Sequence, residues 1–216
     1  MSGAVPSREY FAQPRADVLA LIEGRELEVL ELGCAEGRLG EALKAAGIAR
    51  RVTGVEGFPA AAAAARDRLD EVLEADLDRG LPPLPAAAFD LAICADVLEH
   101  LREPWTVLAA VVAALKPGGR VVLSLPNLKD FRVLVRLALH DDFTYRAQGV
   151  MDRTHLRFFT ATTAHRMLEG AGLVVERRVF RPPPSRIGKA LHTLTLHLLP
   201  SFFAEQVQFV ARKPVA

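Results

Sequence analysis

The run VLELGCAEGRLG at residues 29–40 carries a short apolar strand, Glu28 to Leu32, into a turn with glycine at Gly33 and Gly37. It leaves that turn as a helix-like segment, Arg38 to Ala46. An apolar run that stops at glycine and resumes at helical spacing reads as a strand delivering the chain to a helix. Glycines there permit positive φ and let a ligand approach the main chain where a side chain would block it. A dinucleotide fingerprint requires Gly-x-Gly-x-x-Gly, and Ala35 stands where the second glycine would admit a pyrophosphate. A nicotinamide-dependent oxidoreductase is therefore disfavoured.

Outward from this turn the same rhythm repeats. Arg8 to Ile22 upstream is helix-like, and Arg51 to Glu56 downstream is a β-branched strand. Pro59 opens an alanine-rich helix to about Leu69, Glu71 to Ala75 is a third strand, and Gly80 to Ala88 is a proline-bearing loop. Phe89 to Ala95 and Arg120 to Leu125 read as strands four and five. Between them lies a helix, Pro104 to Leu115, stopped by Lys116-Pro117-Gly118-Gly119. Alternation of this kind predicts an α/β, doubly wound, Rossmann-like parallel sheet whose ligands bind just beyond the carboxyl ends of the strands. After Asn127 the rhythm breaks into a helix from Leu128 to about Leu139, a polar and aromatic stretch to Phe159, and a helix from Thr162 to Gly170. Residues 128–160 are thus expected to form a lid insertion after strand five. Leu173 to Phe180 reads as a sixth strand, Arg181 to Arg186 as a proline-rich break, Ile187 to Leu199 as an amphipathic helix and Glu205 to Arg212 as a last strand.

With 216 residues, half of them hydrophobic, the length prior favours a single domain over 1–216 and excludes a disordered tail. A net charge of +1 supplies no field for a polyphosphate, so nucleic acid is not an expected partner. Only Cys34 and Cys94 occur, which suits a reducing, cytoplasmic setting. Neither a basic-headed leader nor a long apolar window is visible, so no signal peptide or membrane span is expected. The six histidines are scattered with no metal-binding spacing, and no metal is expected.

The chemistry-bearing residues fall where strands end. Glu56 closes the second strand, in a position where an acid accepts ribose hydroxyls, and Asp76 follows the third, within reach of an adenine amino group. Acids after three successive strands suit a nucleoside with a cationic tail and no phosphate. The runs VLELGCAEGRLG (29–40), VTGVE (52–56), EADL (74–77), FDLAICADVLEHL (89–101) and LKPGGRVVLSLPN (115–127) together resemble the class I S-adenosylmethionine-dependent methyltransferases, over about residues 8–212. That resemblance implies a seven-stranded sheet with the last strand antiparallel between the fifth and sixth. It implies S-adenosylmethionine as cofactor and S-adenosylhomocysteine as product. Glu31, Gly33, Cys34, Ala35 and Gly37 would line the methionine part, with Glu56 and Gly57 at the ribose. Asp76 and Leu77 would hold the adenine near Phe58, and Ala95 and Asp96 would close the floor. Ala35 departs from the usual second glycine. Glu99-His100-Leu101, Ser124-Leu125-Pro126-Asn127 and Asp152 to Thr160 are similar to a bacterial small-molecule subgroup, including ubiquinone-biosynthesis O-methyltransferases and enzymes of glycan and natural-product pathways.

A hydroxyl acceptor needs a proton acceptor, and His100, just after strand four, is the leading candidate, with His155 the second. Each has a plain structural alternative, packing against a helix or organising the lid. Arg132, Arg136, Arg146, Arg153 and Arg157 either grip an anionic acceptor or form an ion-paired surface, the latter favoured. Phe143, Tyr145, Phe158 and Phe159 either pack an aromatic acceptor or form lid core. The 187–199 stripe most simply covers the sheet; a membrane-surface contact or a homodimer contact are its alternatives. A non-catalytic scaffold that keeps the cofactor pocket remains a competing class.

Overall fold

The protein is represented by a computed structural model that describes residues 15–181, 193 and 200–215. Seven strands form one sheet: β1 (Leu27–Leu32), β2 (Ala49–Glu56), β3 (Glu71–Glu74), β4 (Phe89–Ala95), β5 (Leu115–Pro126), β6 (Val174–Arg181) and β7 (Gln206–Arg212), in the order β3-β2-β1-β4-β5-β7-β6. β1 to β5 pair in parallel, whereas β7 lies antiparallel between β5 and β6. The strand order reverses at β1 and β4, so a crevice opens beyond their carboxyl ends.

Period-two alternation divides the apolar side chains between the two faces. Leu30 and Leu32 of β1, Ala92 and Cys94 of β4, and Val121, Leu123 and Leu125 of β5 pack with helices α4 (Pro104–Ala114) and α6 (Ala161–Gly170). Val29, Leu91, Ile93 and Val122 face the other way. They pack with α1 (Ala16–Leu19), α2 (Arg38–Ala45) and Ala65 at the end of α3 (Pro59–Ala65). A further helix, α5 (Phe131–His140), buries no residue.

Four boundaries differ by three residues or more from the sequence expectation, the first three for a local reason. α3 stops at Ala65 rather than near Leu69, because Leu69 turns inward over Gly37, Gly40 and Gly54; a Cβ on these would lie 3.0, 2.4 and 2.7 Å from Leu69 atoms. Helix α5 starts at Phe131 and not Leu128, since the Leu128 amide is donated to the Phe159 carbonyl and the Asp130 side chain caps the amide of Arg132 at 2.8 Å. β5 begins at Leu115, which already pairs with Phe89, so the Lys116 to Gly119 stop signal lies inside a bulged strand. Of the helix expected over Arg8 to Ile22, the described portion is helical only over Ala16–Leu19. The proline-rich break beyond Arg181 and all of the 187–199 stripe except residue 193 lie outside the described residues. Among the described residues, no helix is long and apolar enough to cross a membrane.

Candidate functional site

The crevice at the switch point is walled first by the turn after β1. Several of its main-chain donors are already engaged: Gly33 and Cys34 donate to the Val55 carbonyl at 2.8 and 3.2 Å, and Gly37 donates to Cys34 at 2.8 Å. Ala35 donates to Glu56 Oε2 at 2.9 Å, and the other oxygen of Glu56 accepts from the Phe58 amide at 2.8 Å. A buried carboxylate thus stitches the β1 turn to the β2 turn. Amides satisfied this way, beside a fixed anion, do not make a phosphate cradle. Glu56 keeps capacity for hydroxyl donors, since each carboxylate oxygen accepts more than one bond. Gly33 has φ +61°, and a Cβ there would meet Val97 Cγ2 at 2.6 Å. Ala35 tolerates the same left-handed region at φ +49°.

Two residues expected to line this wall point away from it. The Glu31 side chain is buried behind the turn against Gly40 of α2, with one oxygen lacking a partner. Burial, helped by the nearby Glu56 charge, pushes its acid constant up to about 8. The Cys34 thiol is buried against Gly54, and burial followed by the Glu31 and Glu56 charges raises its ionisation far above the usual thiol range. It is an inert core group, leaving only its main chain to the crevice. Cys94, fully enclosed, is likewise pushed up to about 12 by burial.

Asp76 caps the one-turn helix Leu77–Arg79 by accepting from the Asp78 amide at 3.0 Å, and its side chain stays exposed. Leu77 is buried beneath it, and Phe58 stands half-exposed at the start of α3. At Gly57 a Cβ would make ordinary contacts with the Ala75 carbonyl, so no steric demand explains that glycine. Carboxylates after β2, β3 and β4, with the amides of the β1 turn engaged, fit a nucleoside bearing a cationic tail.

Asp96 follows β4 at φ +57° and is the centre of a network that sequence reading did not find. It pairs with Arg15 and accepts from Ser124 Oγ at 3.2 Å and Gln206 Nε2 at 3.1 Å. Arg15 also donates to Ser124 and pairs with Asp17, which in turn accepts from Gln208 and Arg181, both at 2.6 Å. Burial alone would raise Asp17, but Arg15 and these other donors hold it below the usual carboxylate value. The crevice floor is therefore tied to α1, β5 and β7. Only tertiary pairing brings these residues together.

Beside Asp96, the turn Leu98–His100 meets the segment around residue 155. The amides of Leu156 and Arg157 donate to the Glu99 carbonyl at 2.8 and 2.9 Å, which fastens the two pieces. His100 Nδ1 lies 3.2 Å from the Thr154 carbonyl, His155 Nδ1 lies 3.1 Å from that of Val150, and the rings meet edge-on at 4.8 Å. Burial, with His100 alongside, holds His155 below the normal imidazole value. The Glu99 carboxylate is 1% exposed with neither oxygen hydrogen-bonded. Burial and then Asp96 raise it well above the ordinary range. One ligand atom from each of Glu99, His100 and His155 falls within a 4.8 Å cluster. Scattered spacing had argued against a metal; residues 55 positions apart nevertheless share a site able to hold one. The only sequence signal for Glu99 was its place beside His100.

The arginines divide. Arg132 pairs with Asp130 and Glu205, Arg136 with Asp142, and Arg157 donates to the Arg102 carbonyl and covers Trp105. Arg157 also pairs with Glu103 at 3.6 Å, so these three side chains are engaged within the protein. Phe143, Tyr145 and Phe158 cluster at 5.9 to 6.3 Å, with Phe158 also 6.4 Å from His155, whereas Phe159 is buried in the core.

Residues 7–177 match the family described as "Methyltransferase domain". A protein of Aeromonas salmonicida named "Ubiquinone biosynthesis O-methyltransferase" is 27% identical over 152 residues, covering 68% of this chain and 63% of that relative. The chain thus spans less than two thirds of that relative's length. Among solved structures, a SAM-dependent methyltransferase from Archaeoglobus fulgidus superposes with TM-score 0.69 at 20% identity, covering 96% of this chain and 95% of that one. Another, the [4+2]-cyclase SpnF, superposes with TM-score 0.68 at 19% identity, covering 100% and 85%.

Proposed function

Since the chain belongs to the class I S-adenosylmethionine-dependent methyltransferases, we propose that it transfers a methyl group to a hydroxyl oxygen of a small-molecule acceptor. The observation that carries this reading is the β1 turn with the amides of Gly33, Cys34, Ala35 and Gly37 engaged and the Glu56 carboxyl group at its lip, which disfavours phosphate and favours hydroxyls and positive charge. Glu31 would act from behind the turn, and Gly33, Cys34, Ala35 and Gly37 would line the methionine part with main chain. Glu56 and Gly57 would meet the ribose, and Asp76, Leu77 and Phe58 the adenine. Ala95 and Asp96 would form the floor.

When bound, the cofactor supplies an electrophilic sulfonium methyl, so that an O–C bond forms as the S–C bond breaks and a neutral thioether leaves. The protein's own part is to align acceptor and methyl and to take one proton. His100 and His155, with Nδ1 of each held by a carbonyl, keep Nε2 available to accept it. The Phe143, Tyr145 and Phe158 cluster supports an aromatic acceptor, as does the name of the relative from Aeromonas salmonicida. Segment 128–160 would be the acceptor lid of a single domain working in the cytoplasm.

Titration calorimetry with S-adenosylmethionine, S-adenosylhomocysteine and NADH tests the pocket, the first two being expected to bind and NADH not. A folded sample that binds none of them overturns the reading. With an acceptor found by screening hydroxylated aromatics and sugar nucleotides, His100→Ala is expected to lower turnover about 10²-fold while S-adenosylhomocysteine affinity stays constant. A second reading, a cofactor-binding protein without methyl transfer, draws on the cyclase that shares this fold. It predicts cofactor binding with no turnover on any acceptor.

A further inference from the structure

We propose that the groove between α4 and α6 is a second ligand site, which takes a small aromatic compound carrying one carboxylate. Two helix faces build it. Thr163, Arg166, Met167 and Gly170 recur on α6 at the spacing of one helical face, and Trp105 and Ala109, four apart, do so on α4. Ala109, Gly170 and Ala171 line the groove with almost no side chain, and a Cβ on Gly170 would find no atom within 4 Å. A cavity of about 480 Å³ is left, the size of a small-molecule pocket. Phe159 and Met167, each 4% exposed, give it an apolar lining.

Two kinds of group around the cavity select the ligand. Trp105, the sole tryptophan of the chain, is 47% exposed, and the Arg157 guanidinium lies over its ring at 5.4 Å, so a flat apolar body has an aromatic surface to pack on. Arg166 is exposed and makes no hydrogen bond or ion pair among the described residues. Its planar fork matches a carboxylate through two parallel hydrogen bonds. The charge of Arg157 is offset by Glu103 at 3.6 Å, which leaves one positive charge uncompensated and calls for a monoanion rather than a phosphate dianion. Glu56, Asp76 and Asp96 of the crevice do not line this groove. Phe158 does, and it also meets Phe143 at 5.9 Å in the aromatic cluster proposed to pack the acceptor. Binding in the groove is independent of the methyl-transfer reading, whereas any effect on turnover, passed through Phe158, rests on it.

Because Trp105 is the sole tryptophan, its emission reports this groove in the whole protein. Titration with phenylbutyrate is expected to change that emission saturably, with calorimetry giving one equivalent bound. Phenylbutanol, the same body without the charge, and the Arg166→Gln protein with phenylbutyrate should each show binding weakened about tenfold. Gly170→Leu puts a side chain into the open space of the groove, at a residue whose φ is not in the left-handed region, and should abolish binding without loss of the fold. No saturable change, or unaltered affinity in Gly170→Leu, overturns the proposal. Tighter binding of phenylbutyl phosphate than of phenylbutyrate overturns the carboxylate, and binding of hexaglutamate with phenylbutyrate inert overturns the small molecule in favour of an acidic protein partner. S-adenosylhomocysteine binding is measured alongside: its loss with phenylbutyrate binding intact overturns the function reading and spares the groove, and the reverse overturns only the groove.

Discussion

The two sides of the crevice are built by different means. On the β1 and β2 side, each functional group follows its strand by a residue or two and is fixed by main-chain hydrogen bonds, as Glu56 is by the amides of Ala35 and Phe58. Along α5, which buries nothing and leaves Leu139 74% exposed, solvent-facing ion pairs such as Arg136 with Asp142 do part of the anchoring. Exposed ion pairs contribute little to stability, whereas buried and satisfied main chain contributes much. A wall of the first kind holds one ligand shape. A wall of the second kind can change its side chains, and hence its acceptor, without unfolding the sheet.

The contrast can be tested from the largest expected effect to the smallest. Glu31 is a buried acid on the β1 and β2 side, and its acid constant of about 8 lies above the ordinary value of 4.5. Between those values the folded protein keeps the proton and the unfolded chain has lost it, so stability falls as pH rises from 4.5 to 8. The full effect is about 5 kcal/mol at most. Glu31→Gln should abolish this slope in urea unfolding series, and parallel curves for the two proteins would refute the assignment. Gly33→Ala comes next, placing a Cβ 2.6 Å from Val97 at φ +61°. A loss of about 2–3 kcal/mol is expected in thermal or urea unfolding. Adding Val97→Ala should recover the overpacking part only, and no recovery would show that the strain lies elsewhere.

Glu56→Ala removes the partner of two amides and the proposed ribose acceptor, so calorimetry should find S-adenosylhomocysteine bound at least tenfold more weakly, about 1.4 kcal/mol. Unchanged affinity would leave Glu56 as a purely structural stitch. Leu139→Ser, on the loosely built side, should shift the unfolding midpoint by no more than about 0.5 kcal/mol. A larger loss would mean that α5 is packed more firmly than its exposure indicates.

How far the sequence reached follows the same division. The five parallel strands, the turns that end them and the acids beyond were legible because a glycine, a proline or an alternation within a few residues determines each of them. The inward turn of Leu69 was not, since it depends on three glycines on α2, β2 and the turn between β1 and α2 that come together only in space. Nor was the Asp96 network, whose members run from Arg15 to Gln206.

The order of elements and the post-strand positions of Glu56, Asp76 and Asp96 were thus set by the sequence alone, because local hydrogen bonding and burial periodicity act over a few residues, whereas the antiparallel last strand was implied only by the family resemblance. Tertiary structure alone decided that Glu31 and Cys34 turn inward, that Arg15 meets Asp96, and that an unpartnered Glu99 lies against two oriented imidazoles. Burial, and the charge and hydrogen-bond partners it selects, are properties of what lies across space from a residue.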